Sequence, residues 1–254
     1  MVEKVVIDWK YDPKYYFEGK IAISNENYKL DIVDGSVEAR VDPEFFNESK
    51  NLMNDLHGQV ESRFLAVQVM THKPFKLSKP SRYDLRANGT KNIYLSVEPI
   101  VIKTSINADL VVKDKNGNIV SDTKRDRIDK KKWFAEMASK FRATDPTLDL
   151  MLRSYNMSVT EPDNELVHLY EIRDAVSKKF AKGGKARTVL NITKDEWRSL
   201  GRIANDEPLI QGRHRGQNAG NLRKAELFEL EIARKVASKI VENYLKHLEN
   251  TINH

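Results

Sequence analysis

The chain has 254 residues, 40% of them hydrophobic and none of them cysteine. It can bury a core of its own, but it has no disulfide framework, no thiolate metal site and no cysteine nucleophile. It is basic, with a formal net charge of +6 and a pI of about 9.2, which favours a polyanionic partner without demanding one.

The start, "MVEKVVIDWKYDPKYY", has no apolar signal-peptide core. The longest apolar runs are about four residues, against the ~20 that span a bilayer. A cytoplasmic protein with no membrane partner is expected. The next elements read as strands: "YYFEGKIAIS" (15–24), "YKLDIV" (28–33) and "SVEARV" (36–41). Leu30 and Ile32, then Val37, Ala39 and Val41, alternate with polar residues, the period of a sheet with one wet face. Between the last two strands, Asp34-Gly35 supplies the positive-φ turn of a tight hairpin. Asp42 followed by Pro43 reads as a helix cap with proline at the first position. The stretch "VESRFLAVQVM" (60–70) fits a helix or a strand. "NIYLSVEPIVIKTS" and "ADLVVKDKNGNIVSD" add further strands, and Asn116-Gly117 is the strongest hairpin signal in the chain.

The second half reads as helical. Helices are expected over 129–141 and 146–156. In "EPDNELVHLYEIRDAVSKKF", Leu166, Leu169, Tyr170, Arg173 and Val176 fall near one face. "TKDEWRSLGRIAN" opens on Thr193 with Glu196 three residues on, the spacing of a capping box, and ends near Asn205 ahead of Pro208. The last helix carries Leu227, Leu230, Ala233, Ala237, Ile240, Val241, Tyr244 and Leu248 at spacings of three and four. A charge-dense gap at 122–132 marks the expected boundary. The fold class that follows is α+β: a β-rich domain over 1–128, sandwich or barrel-like, followed by an α-helical bundle over 129–254.

The basic excess is local. Residues 178–224 carry 12 lysines and arginines against 4 acids. They fall on "KKFAKGGKAR" and on "NDEPLIQGRHRGQNAGNLRKA" (205–225), both expected to be loops between helices. Arginine offers a planar fork of donors that suits phosphate, and glycine lets backbone N–H groups approach an anion. Lys182, Lys185, Arg187, Arg202, Arg215, Arg223 and Lys224 are therefore candidate nucleic-acid contacts. Solvated surface charge is the plainer account of the same residues.

Arg213 and His214 are the candidate catalytic pair. An imidazole can move protons near neutral pH while a guanidinium stabilises a pentacovalent phosphate. RNA supplies its own 2′-hydroxyl nucleophile, so no metal is required. A loop histidine bonded to the backbone is the alternative for His214. Asn205 is a candidate orienting residue for Arg213 or His214, or simply a helix terminus. Arg173 and Asp174 read as a solvated helix face or as a polar network under the basic loop. His168, Trp133 and Trp197 read as packed residues. The six histidines show no metal-ligand spacing, and P-loop, dinucleotide-binding and hydrolase-elbow motifs are absent, so neither metal nor cofactor is expected.

"NELVHLYEIRDAV", then "EWRSLGRIAND", then "GRHRG" before a long final helix resemble a HEPN-type helical domain. The resemblance covers roughly the last hundred residues. It implies a small helical bundle, metal-independent ribonuclease activity, a role in prokaryotic antiviral defence or stress, and a homodimer that pairs its sites. Some phage-defence members of the family also carry a β-rich domain in front; here that domain is expected to recognise a protein partner. The family motif, an arginine four to six residues before a histidine, is not matched: Arg213 adjoins His214 and Arg202 lies further ahead. A non-catalytic nucleic-acid- or protein-binding module and a structural assembly protein are the competing readings.

Overall fold

The computed structural model describes residues 2–86, 91–94, 111–113, 119–218 and 220–252. The chain divides into two compact units, residues 1–61 with 75–133, and residues 62–74 with 134–254. The class is α+β, an N-terminal antiparallel sheet followed by helices.

The first unit is built on β1 (Val2–Asp12), β2 (Ile21–Ser24), β3 (Tyr28–Val33) and β4 (Ser36–Val41). Next come α1 (Pro43–Glu48) and α2 (Leu52–Thr71), then β5 (Lys76–Leu77), β6 (Ser81–Arg86), β7 (Lys91–Tyr94) and the separate pair β8 (Val111–Lys113) and β9 (Ile119–Asp122). Sheet order is β2-β3-β4-β1-β6-β7, with β5 also on β1. The register stacks Val5 beside Val41, Ile7 beside Ala39 and Trp9 beside Val37, and Leu30 and Ile32 beside Ala39 and Val37. All eight are buried, so one face of the sheet is a continuous apolar layer. The first half of α2 lies on that layer. Leu56 and Val60 are buried, and the Trp9 indole N–H donates to His57 Nδ1 at 3.0 Å.

The hairpin expected at Asp34-Gly35 forms. Both residues have positive φ, 48° and 81°, and Val33 pairs with Ser36 across a two-residue turn. Asp42 caps α1 by accepting from the Glu44 and Phe45 backbone N–H groups. The stretch 60–70 is helix throughout.

Two expectations in this half are corrected, and one strand was not expected. The strand expected over 15–24 begins only at Ile21, because Tyr16 and Phe17 are spent as buried packing residues in the preceding turn, their rings edge to face at 5.6 Å. The central strand is β1, which the reading of elements passed over. The charge-dense gap at 122–132 is the start of α3 (Thr123–Phe141), where Glu18 receives Arg127 at 2.6 Å and Lys131. The Asn116-Gly117 turn lies outside the described residues, though β8 and β9 on either side of it pair antiparallel.

The second unit contains α4 (Pro146–Thr160), α5 (Glu165–Lys179), α6 (Gly183–Val189), α7 (Lys194–Gly201) and α8 (Leu227–Ile252). Helix α5 is the hub and packs against α4, α6 and α8. Leu166, Leu169, Ile172 and Val176 on α5 are buried with Leu148, Met151, Leu152 and Tyr155 on α4 and Ala233, Ala237, Ile240, Val241 and Tyr244 on α8. Asp145 caps α4 through the Leu148 N–H and accepts from the Tyr244 hydroxyl at 3.0 Å, tying α4 to α8. The expected face of α5 takes Ile172 into the core and leaves Tyr170 and Arg173 at its edge. Leu227 is 65% exposed and does not join the stripe of α8, because the buried member of that first turn is Glu229, drawn in by Arg223.

Candidate nucleic-acid interface

The basic segment around Arg213 is shaped by the end of α7. Thr193 and Glu196 form the expected capping box and start that helix firmly. Its far end widens into a π-helical turn, Arg202–Asp206, closed by the Glu207 N–H on the Arg202 carbonyl at 2.9 Å. Such turns displace the ordinary helical bonding and are frequent at functional sites. Here the Ala204 carbonyl is left to accept from the Arg213 N–H at 2.9 Å.

Past the π turn, buried Leu209 anchors the chain, and Leu209 and Arg223 form an isolated parallel bridge. Ile210 donates to the Arg223 carbonyl and Arg223 to that of Pro208, at 2.9 and 3.0 Å. Gly212 is buried where a Cβ would press on the Leu209 and Ala204 carbonyls at 3.2 and 3.3 Å, so the close turn into Arg213 requires glycine.

The segment then runs along α5. The Arg213 guanidinium lies over the Tyr170 ring at 4.4 Å and reaches Asp174 at 3.3 Å. Arg215 donates to Asn164 Oδ1, just ahead of α5, at 2.6 Å. His214 stands between them, exposed. Burial raises the Asp174 carboxyl pKa above its ordinary value, against the opposite pull of Arg213 and Arg173.

A second guanidinium shares the ring. Arg173 lies over Tyr170 at 5.0 Å and over Trp197 at 4.8 Å. It rests on Gly201, where a Cβ would overlap its Nη1. Trp197 is in turn tight against Gly183, where a Cβ would stand 3.1 Å from the indole. Both glycines make room for the stack.

The other expected contacts divide into two groups. Arg202 is paired with Glu207 at 2.5 Å, and Arg223 is held by Glu229 at 2.7 and 2.8 Å, so both spend their charge closing the loop. The Arg223 hydrogen bond also holds the Glu229 carboxyl below its usual range, against the effect of burial. Lys182 is the N-cap of α6, and Lys185 and Arg187 lie within it. The loop expected there is a short helix, because Ala186 packs into the core and fixes it. Lys182 and Lys185 are exposed, while Arg187 reaches the Ile192 carbonyl at 3.4 Å. Lys224 is exposed beside Arg223. Asn205 donates to Asp206 at 2.9 Å, so its side chain bonds its neighbour rather than Arg213, and it is the backbone of the preceding Ala204 that positions Arg213.

No family model, curated protein or solved structure matches this chain.

Among the described residues, no group of three or more acids and histidines is placed to hold a metal ion, and no helix is long and apolar enough to cross a membrane. Reading the sequence left out Asn164 and Gly201 and gave Tyr170 no role beyond its helix face, whereas Trp197, read as a core residue, is buried and also lies against Arg173. The spacing of Tyr170, Arg173 and Asp174 at i, i+3 and i+4 was the available signal, since it puts all three on one helix face. A glycine inside the pattern of α7 was the signal for Gly201.

Proposed function

We propose that the chain binds RNA along the Arg213–His214–Arg215 segment and cleaves it without a metal. The observation that supports this best is the placing of Arg213. Its backbone is tied to the π turn, its guanidinium is stacked on Tyr170, and it carries one half-exposed carboxylate partner, with His214 exposed beside it. A positioned guanidinium next to an imidazole suits transesterification of a ribose-phosphate chain. The 2′-oxygen attacks the adjacent phosphorus and forms the cyclic phosphate, while the bond to the 5′-oxygen breaks. His214 takes the 2′-hydroxyl proton while water protonates the departing 5′-oxygen, or water takes the first proton while His214 delivers the second, and Arg213 holds the charge on the phosphorane. Arg215 and the exposed lysines of α6 steer the strand. The resemblance to HEPN domains supports the same reading and adds two proposals, a homodimer and recognition of a protein partner by the β-rich unit in a cytoplasmic defence or stress response.

The test is cleavage of labelled single-stranded and structured RNA in the presence of a chelator. Wild type is expected to cleave. His214→Ala should bind but not cleave, and Arg213→Ala should lose both. Binding without cleavage by wild type would reduce the protein to a binding module. Absence of salt-sensitive binding would overturn the RNA reading altogether.

A further inference from the structure

We propose that Arg173 is a second, preformed oxyanion site, which takes a phosphodiester group of the strand next to the one held by Arg213. Its guanidinium carbon lies over Trp197 at 4.8 Å and over Tyr170 at 5.0 Å. Its Nη1 sits against the bare Cα of Gly201. That glycine is not there for its backbone. With φ −59° and ψ −52° it is ordinary right-handed helix, which any residue adopts. In a helix interior alanine is the better former, so what glycine provides at 201 is room.

The room is filled by a half-buried cation that forms no hydrogen bond and no ion pair among the described residues. A guanidinium carries five donors in a fixed fork, and those of Arg173 find no acceptor among the described residues, which leaves them open to solvent or to an anion. An oxyanion fits the fork in two parallel bonds. Asp174 attracts Arg173 through space, but its hydrogen bond goes to Arg213.

The geometry also points to a phosphate chain rather than to a single anion. Arg173 and Arg213 lie over the same Tyr170 ring, so their guanidinium carbons are no more than about 10 Å apart. Two forks within that distance are close enough to take neighbouring phosphates of one strand. The choice of RNA as ligand rests on the function proposed above, whereas the oxyanion site itself does not.

The experiment separates the two. Protein labelled with ¹⁵N in its arginines is titrated with inorganic phosphate at constant ionic strength, and the side-chain Nε–H resonances are followed by NMR. The Arg173 resonance, identified by its loss in Arg173→Lys, is expected to shift and saturate. In Gly201→Ala the added methyl displaces the guanidinium while the helix is kept, so the saturable shift should disappear from an otherwise native spectrum. No saturable shift in wild type, or the same shift in Gly201→Ala, overturns the site. With single-stranded RNA, Arg173→Gln should bind about tenfold more weakly, with a salt slope smaller by about 0.7. Unchanged RNA affinity and slope overturn the strand assignment. Phosphate binding at Arg173 without RNA cleavage by wild type supports the oxyanion site and refutes the ribonuclease. Cleavage that depends on His214, with no phosphate response at Arg173, does the reverse.

Discussion

Asp174→Asn is expected to tighten RNA binding, which is unusual for a substitution beside a binding residue. The carboxylate competes with phosphate for Arg213 at 3.3 Å, with the two side chains 36% and 50% exposed. An exposed pair of this kind is worth about 0.2–1 kcal/mol, which the asparagine releases. A phosphate seated on the same guanidinium also lies roughly 6 Å from the carboxylate, a repulsion of about 0.7 kcal/mol in water. Together these amount to about 1–1.7 kcal/mol, or an affinity gain of roughly five- to eighteenfold. The assay is fluorescence anisotropy of a labelled single-stranded RNA at fixed ionic strength, with Arg213→Ala as the variant of opposite sign. The fold should not suffer. A carboxyl whose pKa is raised on folding contributes stability only below its unfolded value, and that contribution is lost as pH rises through the folded one. At neutral pH the charged Asp174 is therefore a cost that asparagine removes. Unchanged or weaker binding by folded Asp174→Asn would refute the placing of the phosphate at Arg213.

Three further predictions concern the frame around the site. Burial opposes the charged form of Glu18, but bonds from Arg127 and Lys131 win and hold its carboxyl at about 2. Glu18→Gln should therefore cost about 2–3 kcal/mol at neutral pH by urea unfolding, with the deficit fading as pH falls from the unfolded value near ~4.3 towards about 2; an equal deficit at both ends would contradict this. Glu165 is 3% exposed and binds Arg234 at 2.5 and 2.8 Å, so Glu165→Gln should lower the unfolding free energy by about 3 kcal/mol, read as a lower urea midpoint at constant slope. That change should also lower the His72 pKa further, since burial and Arg234 already depress it and Glu165 alone raises it; NMR titration reads the shift. Thr193→Ala removes the capping box and should cost about 1 kcal/mol, seen as a lower melting temperature.

What could be read from the sequence was whatever depends on neighbours along the chain. Asp34-Gly35, Asp42-Pro43 and the Thr193–Glu196 box each state their geometry within a few residues, and each forms as read. Strand β1 was hidden because Val5, Val6 and Ile7 are all buried, which replaces alternation with an uninterrupted apolar run. The first turns of α3 were hidden because a helix carrying mostly charge shows no apolar period. For the site, residue types pointed to Arg213 and His214. Tyr170 and Asp174 lie some forty positions earlier, and only the packing of the loop along α5 brings them to Arg213. Sequence also counted Arg202 and Arg223 as open charge, because nothing local announces that Glu207 and Glu229 neutralise them.

The bridge between Leu209 and Arg223 has an engineering consequence. It closes a loop at its base, and Arg213 is fixed below the tip, by Ala204, Tyr170 and Asp174. Closure entropy grows only with the logarithm of loop length, about 0.6 kcal/mol for each doubling. The stretch after Arg215 and before Arg223 is thus a cassette. It can be lengthened, exchanged or made to carry a fluorophore or a crosslinker, while the base keeps Arg213 in register.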